Sequence, residues 1–516
     1  MKFFTNNGFL SRLGIAVTLV AGVTSCKDYL NVNDTPNQPL VVTPAVLLTG
    51  IEATTGFTVS NDLGRVTSLL IQHAAGINNQ AAAYDTYTLR GSFNNQWTGE
   101  LYAGSLTNTQ LLINQTQTSS PYYAGIAKLL RAYNFAVATD LWGDVPYSQA
   151  SQGLNNLAPR FDAQADIYQG NTGSGIQSLF DLVRSGLTDI NNGTNVAVPG
   201  TDDLIYGKNL DGTSITPATQ LARWNKFGNT LLLKLANTIS RKNPTLATAV
   251  IKEILAKGPN AVITANTEDA DVPFGITVGN QNPSYAFNIL NRPNDQMLSR
   301  RFLDSLRSPN PNDPRLPRFW TTSGANAAAA TTPFGIFTGF DNAGTQTVPE
   351  SVNRSRFGAY QVGGSGEAPV HLVTNFQRAF ILAESALTLG TAGNPQALFV
   401  EGIRASMTKV GVSATDITAY FAANPAAVTL SGTVDQKVNK IITQKWIAWC
   451  GNGYEAYNDY RRTGYPRLQV VQFPIAEANN AIPRRLFYPD SEINLNTAQI
   501  PTPQPNIATP VWWDVR

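Results

Sequence analysis

Apolar residues recur every three or four positions through much of this chain, a spacing that predicts helices. The clearest runs from Pro121 to Leu141, where Ile126, Leu129, Leu130, Tyr133, Val137 and Leu141 share one face. Ser120 is placed to cap it, Pro121 suits its first turn, and Gly143 and Pro146 stop it. A second helix is expected from about Ala218 to Ser240, striped by Trp224, Phe227, Leu231, Leu235 and Ile239. A third is expected from Val370 to Leu389, ended by Gly390, and a fourth from Asn394-Pro395 to Gly411. So short a turn makes that pair antiparallel. A fifth covers about Val434 to Trp449, and weaker helical patterns cover Pro44 to Thr55, Asp62 to Ala75 and Phe93 to Ile113.

Helix pairs in series suggest a tetratricopeptide-like stack, but no strict repeat is present, so the pattern alone supports only a mostly α fold. Two long irregular stretches interrupt the helices, Ala261 to Pro293 and Ser308 to Ala368. Such stretches inside a compact protein are usually functional or disordered. The Asn- and Pro-rich tail, Ile493 to Pro510, closes on Val511-Trp512-Trp513, and two terminal tryptophans imply that it is pinned back onto the body.

The N-terminus has a different pattern. Lys2 and Arg12 precede an uncharged run from Leu13 to Val23, followed by Thr24-Ser25-Cys26. A basic start, a short apolar core and small residues describe a secretory signal. The run is shorter than the roughly 20 apolar residues of a spanning helix. Cys26 at the cut resembles the acylated cysteine of bacterial lipoproteins; the competing reading is an ordinary signal peptide with a chance cysteine. The expected organisation is a signal over 1–25, a lipidated tether over 26–44 and one body over 45–516.

Net charge is +2, from 37 basic and 35 acidic residues, which gives no electrostatic case for nucleic acid. Charged residues make up 14% of the chain, against roughly 25% in typical soluble domains, and so favour neutral polar ligands. With Cys26 acylated, Cys450 stands alone beside Trp446 and Trp449 and reads as a buried, inert thiol. The two histidines, His73 and His371, lie far apart in sequence, and His371 with Cys450 lacks the local signature of a cysteine hydrolase. No H-E-x-x-H, G-x-S-x-G or P-loop pattern occurs.

Asp140-Leu141-Trp142-Gly143-Asp144-Val145-Pro146-Tyr147, a helix running into a Gly-Asp-x-Pro-Tyr turn, resembles the SusD/RagB family of outer-membrane nutrient-binding lipoproteins, in its SusD-like branch. Further segments fit in order: Pro159-Arg160-Phe161-Asp162, Arg223-Trp224-Asn225-Lys226-Phe227, Asn312-Asp313-Pro314-Arg315 and Ala383-Glu384-Ser385-Ala386. Glu401 to Met407, Gln444-Lys445-Trp446, Asp459 to Pro466, Ile482 to Arg485 and Trp512-Trp513-Asp514 follow. The resemblance covers essentially the whole mature chain. It implies a non-enzymatic receptor that needs no cofactor. Such a receptor sits on the outer leaflet, captures oligosaccharide or in some members peptide, and passes it to a TonB-dependent (SusC-like) transporter barrel. Cys26 is followed by Lys27-Asp28 rather than an acidic run, so outward orientation comes from the family alone.

Asp140 and Asp144 invite a glycosidase reading, since sugar hydrolysis uses paired carboxylates; an Asp after Gly143 also fits a turn that bonds backbone amides. Asp459, Arg461 and Arg462 read as an ion-pair corner or, alternatively, a phosphate site. Glu268, Asp269 and Asp271 carry calcium-type oxygens but lack the spacing of a calcium loop, so a solvated loop is the expectation. A sugar ring packs its C–H face on an aromatic while its hydroxyls need donors and acceptors. The candidate ligand residues are therefore loop aromatics near polar neighbours: Trp97, Tyr285, Trp320 and Tyr360. Phe287 with Asn288, and Phe319, Phe337 and Phe340, share those loops, while Trp224 and Trp446 read as core. The rival readings are a lipid-anchored scaffold that binds only protein and a carbohydrate hydrolase.

Overall fold

The computed structural model describes residues 42–308, 312–322 and 337–516. Cys26, the signal over 1–25 and the tether up to residue 41 lie outside the described residues. Pro44–Arg516 forms one compact unit. Its long helices are α1 (Pro44–Ser60), α2 (Asp62–Leu70), α3 (Thr107–Thr116), α4 (Pro121–Trp142), α5 (Leu179–Ile190), α6 (Pro217–Ile239), α7 (Pro244–Ala256), α8 (Asn375–Thr388), α9 (Pro395–Lys409), α10 (Val434–Ala448) and α11 (Gly453–Thr463). The fold is mostly α, with tetratricopeptide-like helix pairing. Among the described residues no helix is long and apolar enough to cross a membrane.

Packing follows chain order. α3 lies on α4, α4 on α5, α5 on α6 and α6 on α7, while α8 packs on both α9 and α10. α4 is apolar on nearly every side and almost wholly buried, which makes it the central helix. Its N-terminus departs from expectation. The Ser120 side chain accepts from Ala197 N at 3.0 Å, and Asn195 Oδ1 instead accepts from Tyr122 N at 2.9 Å. Gly125 permits a close α4–α5 crossing: a Cβ there would stand 2.6 Å from the Gly186 carbonyl oxygen.

The segment expected as one helix from Val370 to Leu389 divides. Val370–Val373 is a strand paired antiparallel with Ala270–Val272, and α8 begins only after Thr374, whose side chain accepts from Gln377 N. The β-branched pair Val370 and Val373 favours that extended start. Two further short pairings, Ala74–Gly76 with Gln296–Leu298 and Val145–Pro146 with Phe161–Asp162, tie the irregular stretches to the helices. The tail folds back as expected. Trp513 is buried, and its indole donates to Asp140 Oδ1 at 2.8 Å.

Candidate functional site

α2 carries Asn61, Arg65 and Ser68 at helical spacing, at its start and along one face, and all three line a surface cleft. The facing wall begins at Asn282. Its side chain accepts from Ser284 N at 2.8 Å and donates to the Ala368 carbonyl at 2.8 Å, docking one irregular stretch on the other. From Ala286 to Asn291 the chain widens into a π-helical turn, a geometry frequent at functional sites. This turn sets Phe287 under Arg65, the guanidinium carbon 3.5 Å from the ring centre. Arg65 is also held by Asp62, to which its Nε donates at 3.1 Å. The floor is completed by Gln296 from the strand Gln296–Leu298, and by Phe357 and Gln361 from the second irregular stretch.

The polar groups are pre-aimed. Gln296 Nε2 donates to Asn288 Oδ1 at 2.6 Å, and Asn288 Nδ2 donates to Ser284 Oγ at 3.0 Å. Gln361 Nε2 donates to the Phe319 carbonyl at 2.6 Å. Each carboxamide thereby keeps acceptor capacity for a ligand. Among the described residues Arg65 is the one charged group lining the cleft, and the buried Asp62 pairs with it from behind. Phe357 lines the cleft among amides and hydroxyls, and the half-buried Phe287 lies beside it under Arg65; the cleft itself encloses only about 20 Å³, so a sugar ring can rest across its mouth but not enter it.

Residues 36–489 match the family described as "Starch-binding associating with outer membrane", SusD-like. The chain belongs to the SusD-like family. Solved structures agree on the fold. A chitin-binding protein superposes with a TM-score of 0.74 at 24% identity, covering 92% of this chain and 100% of its own. A chitin-binding SusD homolog from Flavobacterium johnsoniae gives 0.70 at 21%, covering 92% and 98%. A SusD-like protein from Bacteroides thetaiotaomicron gives 0.72 at 21%, covering 92% and 99%. No curated protein sequence matches the chain.

In this SusD-like body the four aromatics singled out from sequence do not come together. Trp97 is 3% exposed, ringed by Tyr102, Trp142, Phe161 and Tyr488, and its indole donates to Glu492 at 3.1 Å. Trp320 is fully buried behind Phe357, the ring centres 4.7 Å apart. Neither tryptophan has a face open to a ligand, so stacking on them is corrected to a core role: the bridge Trp320–Phe357 draws that loop inward and leaves Phe357 as its outer ring. Tyr285 is half-buried beside Ser284 on the cleft's turn. Tyr360 lies on the far side of the Ala359–Val362 helix, stacked on His371. Phe319, Phe337 and Phe340 are core. The sequence reading missed Arg65 and Phe357. The polar stripe Asn61, Arg65 and Ser68 was a usable signal for the first; Phe357 had none.

Other charged motifs are structural. Asp140 is a buried hub that accepts from Tyr168, Tyr454, Asn458 and Trp513. Asp144 Oδ1 accepts from Gln164 N at 2.8 Å. Arg462 donates to Glu384 and, at 2.9 Å, to Asp459, which also pairs with Lys445 at 2.9 Å. Burial works against the Glu384 charge, but Arg462 outweighs it and holds the carboxyl down at about 2. Glu268, Asp269 and Asp271 are not a solvated run. Lys226 pairs with Glu268, while Lys409 Nζ sits 2.7 Å from Asp269 and 2.8 Å from Asp271. Cys450 is buried and free, and its thiol is pushed up by burial. The partner of His371 is Asp271, not Cys450.

Proposed function

We propose that this protein is a surface glycan receptor: the cleft between α2 and the Pro283–Asn291 turn captures an oligosaccharide, and the receptor delivers it to a TonB-dependent transporter barrel. The observation that carries the reading is the setting of two half-buried rings at one surface, Phe357 on the cleft wall among aligned amides and Phe287 beside it under Arg65. Starch in the family's description, and chitin in the names of two similar structures, make glucose- and N-acetylglucosamine-based polymers the first ligands to test. Tyr285 borders the cleft and extends the contact to a neighbouring sugar unit. Binding here is not followed by chemistry; selectivity comes from ring contact and a few aimed hydrogen bonds.

In this proposal residues 1–25 are removed, acylated Cys26 anchors the chain to the outer membrane facing the exterior, and residues 26–44 tether the body over 45–516. Several acyl chains satisfy the two-signal requirement for stable anchoring. Native affinity electrophoresis through gels containing starch or soluble chitin derivatives tests capture. The protein is expected to be retarded, and Phe287→Ala with Asn288→Ala to run freely. Equal retardation of the variant removes this cleft as the site. Palmitate feeding tests the anchor, with label expected on the parent and none on Cys26→Ser. Mild detergent extraction followed by mass spectrometry tests for the co-purifying barrel.

A further inference from the structure

Asn61 stands where α2 begins, is only partly buried, and lines the cleft. Asn is among the residues best suited to cap a helix, because its side-chain oxygen can accept from a backbone N–H of the first turn. Here it makes no such bond. Its Nδ2 instead donates to Glu100 Oε1 at 2.8 Å, and among the described residues its Oδ1 has no hydrogen-bond partner and is not sealed from solvent. The oxygen that would have capped α2 is left at the cleft.

Glu100 sets this arrangement. It lies behind the cleft on the π-helical segment Gln96–Leu106 and is buried. Three carboxamides converge on its Oε1, those of Asn61, of Asn95 at 3.0 Å and of Gln96 at 3.1 Å. Burial pushes the carboxyl up to about 7, against these three donors, so above that pH it is a carboxylate. A carboxylate only accepts, which turns the amide nitrogen of Asn61 towards it and the oxygen away. Gln361, also on the cleft wall, is set in the same way: its Nε2 donates to the Phe319 carbonyl, another group that only accepts. Two amide oxygens of fixed direction therefore border one opening. Both π-helical segments among the described residues adjoin it, Gln96–Leu106 through Glu100 and Ala286–Asn291 through Asn288. Such segments are frequent at functional sites.

Outward oxygens require donors on the ligand. We propose that Asn61 is a specificity-determining contact of the glycan site, accepting a hydrogen bond from a hydroxyl or acetamido N–H of a sugar laid across the mouth, and that Glu100, which touches no ligand, is the residue that positions it. The proposal rests on the glycan reading and adds the polarity of the site: the sugar presents hydrogen here, not a lone pair.

Calorimetric titration of the full chain at pH 8 with soluble starch and with glycol chitin carries the test. At least one is expected to bind the parent. Asn61→Ala is expected to weaken that binding about fivefold, the loss of one net hydrogen bond. Its melting temperature is expected to change little, since Asn95 and Gln96 still serve Glu100. Glu100→Ala lets the Asn61 amide turn and is expected to weaken binding by a similar factor. The double variant is expected to bind no more weakly than Asn61→Ala alone, because Glu100 acts through Asn61. Glu100→Gln keeps an accepting oxygen and is expected to bind within about twofold of the parent, even where it melts lower. A merely structural Glu100 gives a different result: Glu100→Ala then weakens binding by the same factor with Asn61 present or absent. That additivity overturns the proposal, as does parental affinity in Asn61→Ala. Should Glu100→Ala not fold, a loss in Glu100→Gln as large as in Asn61→Ala overturns it too. If Asn61→Ala binds like the parent while the Phe287→Ala with Asn288→Ala variant does not bind, the glycan reading stands and this one falls. If the parent binds neither polysaccharide, both fall together.

Discussion

The guanidinium carbon of Arg65 stands 3.5 Å from the ring centre of Phe287, joining α2 to a turn far along the chain. Such a contact is worth roughly 0.5–1 kcal/mol at an exposed site and more when desolvated. Asp62 fixes the other side of Arg65, and its second oxygen accepts from Tyr84 at 2.9 Å. Phe287→Ala therefore frees Arg65 without unpairing it. Loss of the contact is expected to lower the stability by roughly 0.5–1 kcal/mol, seen as a small drop in melting temperature, and glycan affinity is expected to fall because a ring beside the cleft is removed. Calorimetric titration alongside thermal unfolding checks both; unchanged affinity removes the stack from the site.

Asp85 provides a pH test. Burial pushes its carboxyl up to about 7, against donors from Asn342 at 2.6 Å, Ala343 N at 2.8 Å and Gly76 N at 3.1 Å. A carboxyl whose folded pKa lies above its unfolded value binds its proton more tightly when folded, so stability falls as pH rises between the two. From about pH 4 to 7 the parent is expected to lose stability through this group. Asp85→Asn is expected to flatten that part of the profile. Parallel melting curves across the range decide it; equal slopes in both proteins would assign the dependence elsewhere.

The long helices were legible because their apolar positions repeat locally: the segment expected from Val434 to Trp449 ends one residue short, at Ala448. Val370–Val373 was not, since a short β-branched strand running straight into a helix keeps the same apolar density, and its pairing partner Ala270–Val272 is remote. The cleft was half legible. Tyr285, Phe287 and Asn288 stood in the right loop, but an aromatic in a loop says nothing about which face of the chain it turns to. Trp320 and Phe357 illustrate this: the bridge between them decides which ring is core and which is surface, and no local pattern encodes a bridge between distant residues. Trp97 fails for the same reason, its cage being assembled from Tyr102, Trp142, Phe161 and Tyr488.

The α4–α5 crossing depends on two glycines. A Cβ at Gly125 meets the Gly186 carbonyl oxygen at 2.6 Å and Ile190 at the same distance; a Cβ at Gly186 meets the Gly125 carbonyl oxygen at 2.9 Å. Backbone cannot yield as a flexible side chain does, so the helices must part. Overpacking typically costs about 1–3 kcal/mol. Gly125→Val is expected at the upper end of that range, and a surface control, Gly50→Ala, where nothing lies within 4 Å, is expected to be neutral or stabilising. Denaturant unfolding of both variants checks the contrast. Equal midpoints would mean the crossing is not tight in solution.

Lys409 is the sole ammonium bonded to Asp269 and Asp271 among the described residues, at 2.7 and 2.8 Å, and all three are buried. Burial opposes its charge, but the two carboxylates outweigh that and raise its pKa. Lys409→Met removes the cation while leaving two buried carboxyls side by side, with His371 and Asn375 N as their remaining hydrogen-bond partners among the described residues. Breaking a buried pair in this way costs about 3–5 kcal/mol. The loss must depend on pH. Without the ammonium both carboxyl pKa values rise, so protonation relieves the repulsion and the variant is expected to regain stability as pH falls from 8 towards 5. Adding Asp269→Asn and Asp271→Asn to Lys409→Met removes the charge altogether and is expected to recover much of the loss at pH 8. Melting temperatures of the three proteins across that range carry the test. A Lys409→Met variant as stable as the parent at pH 8 would mean that the ammonium does not neutralise this pair.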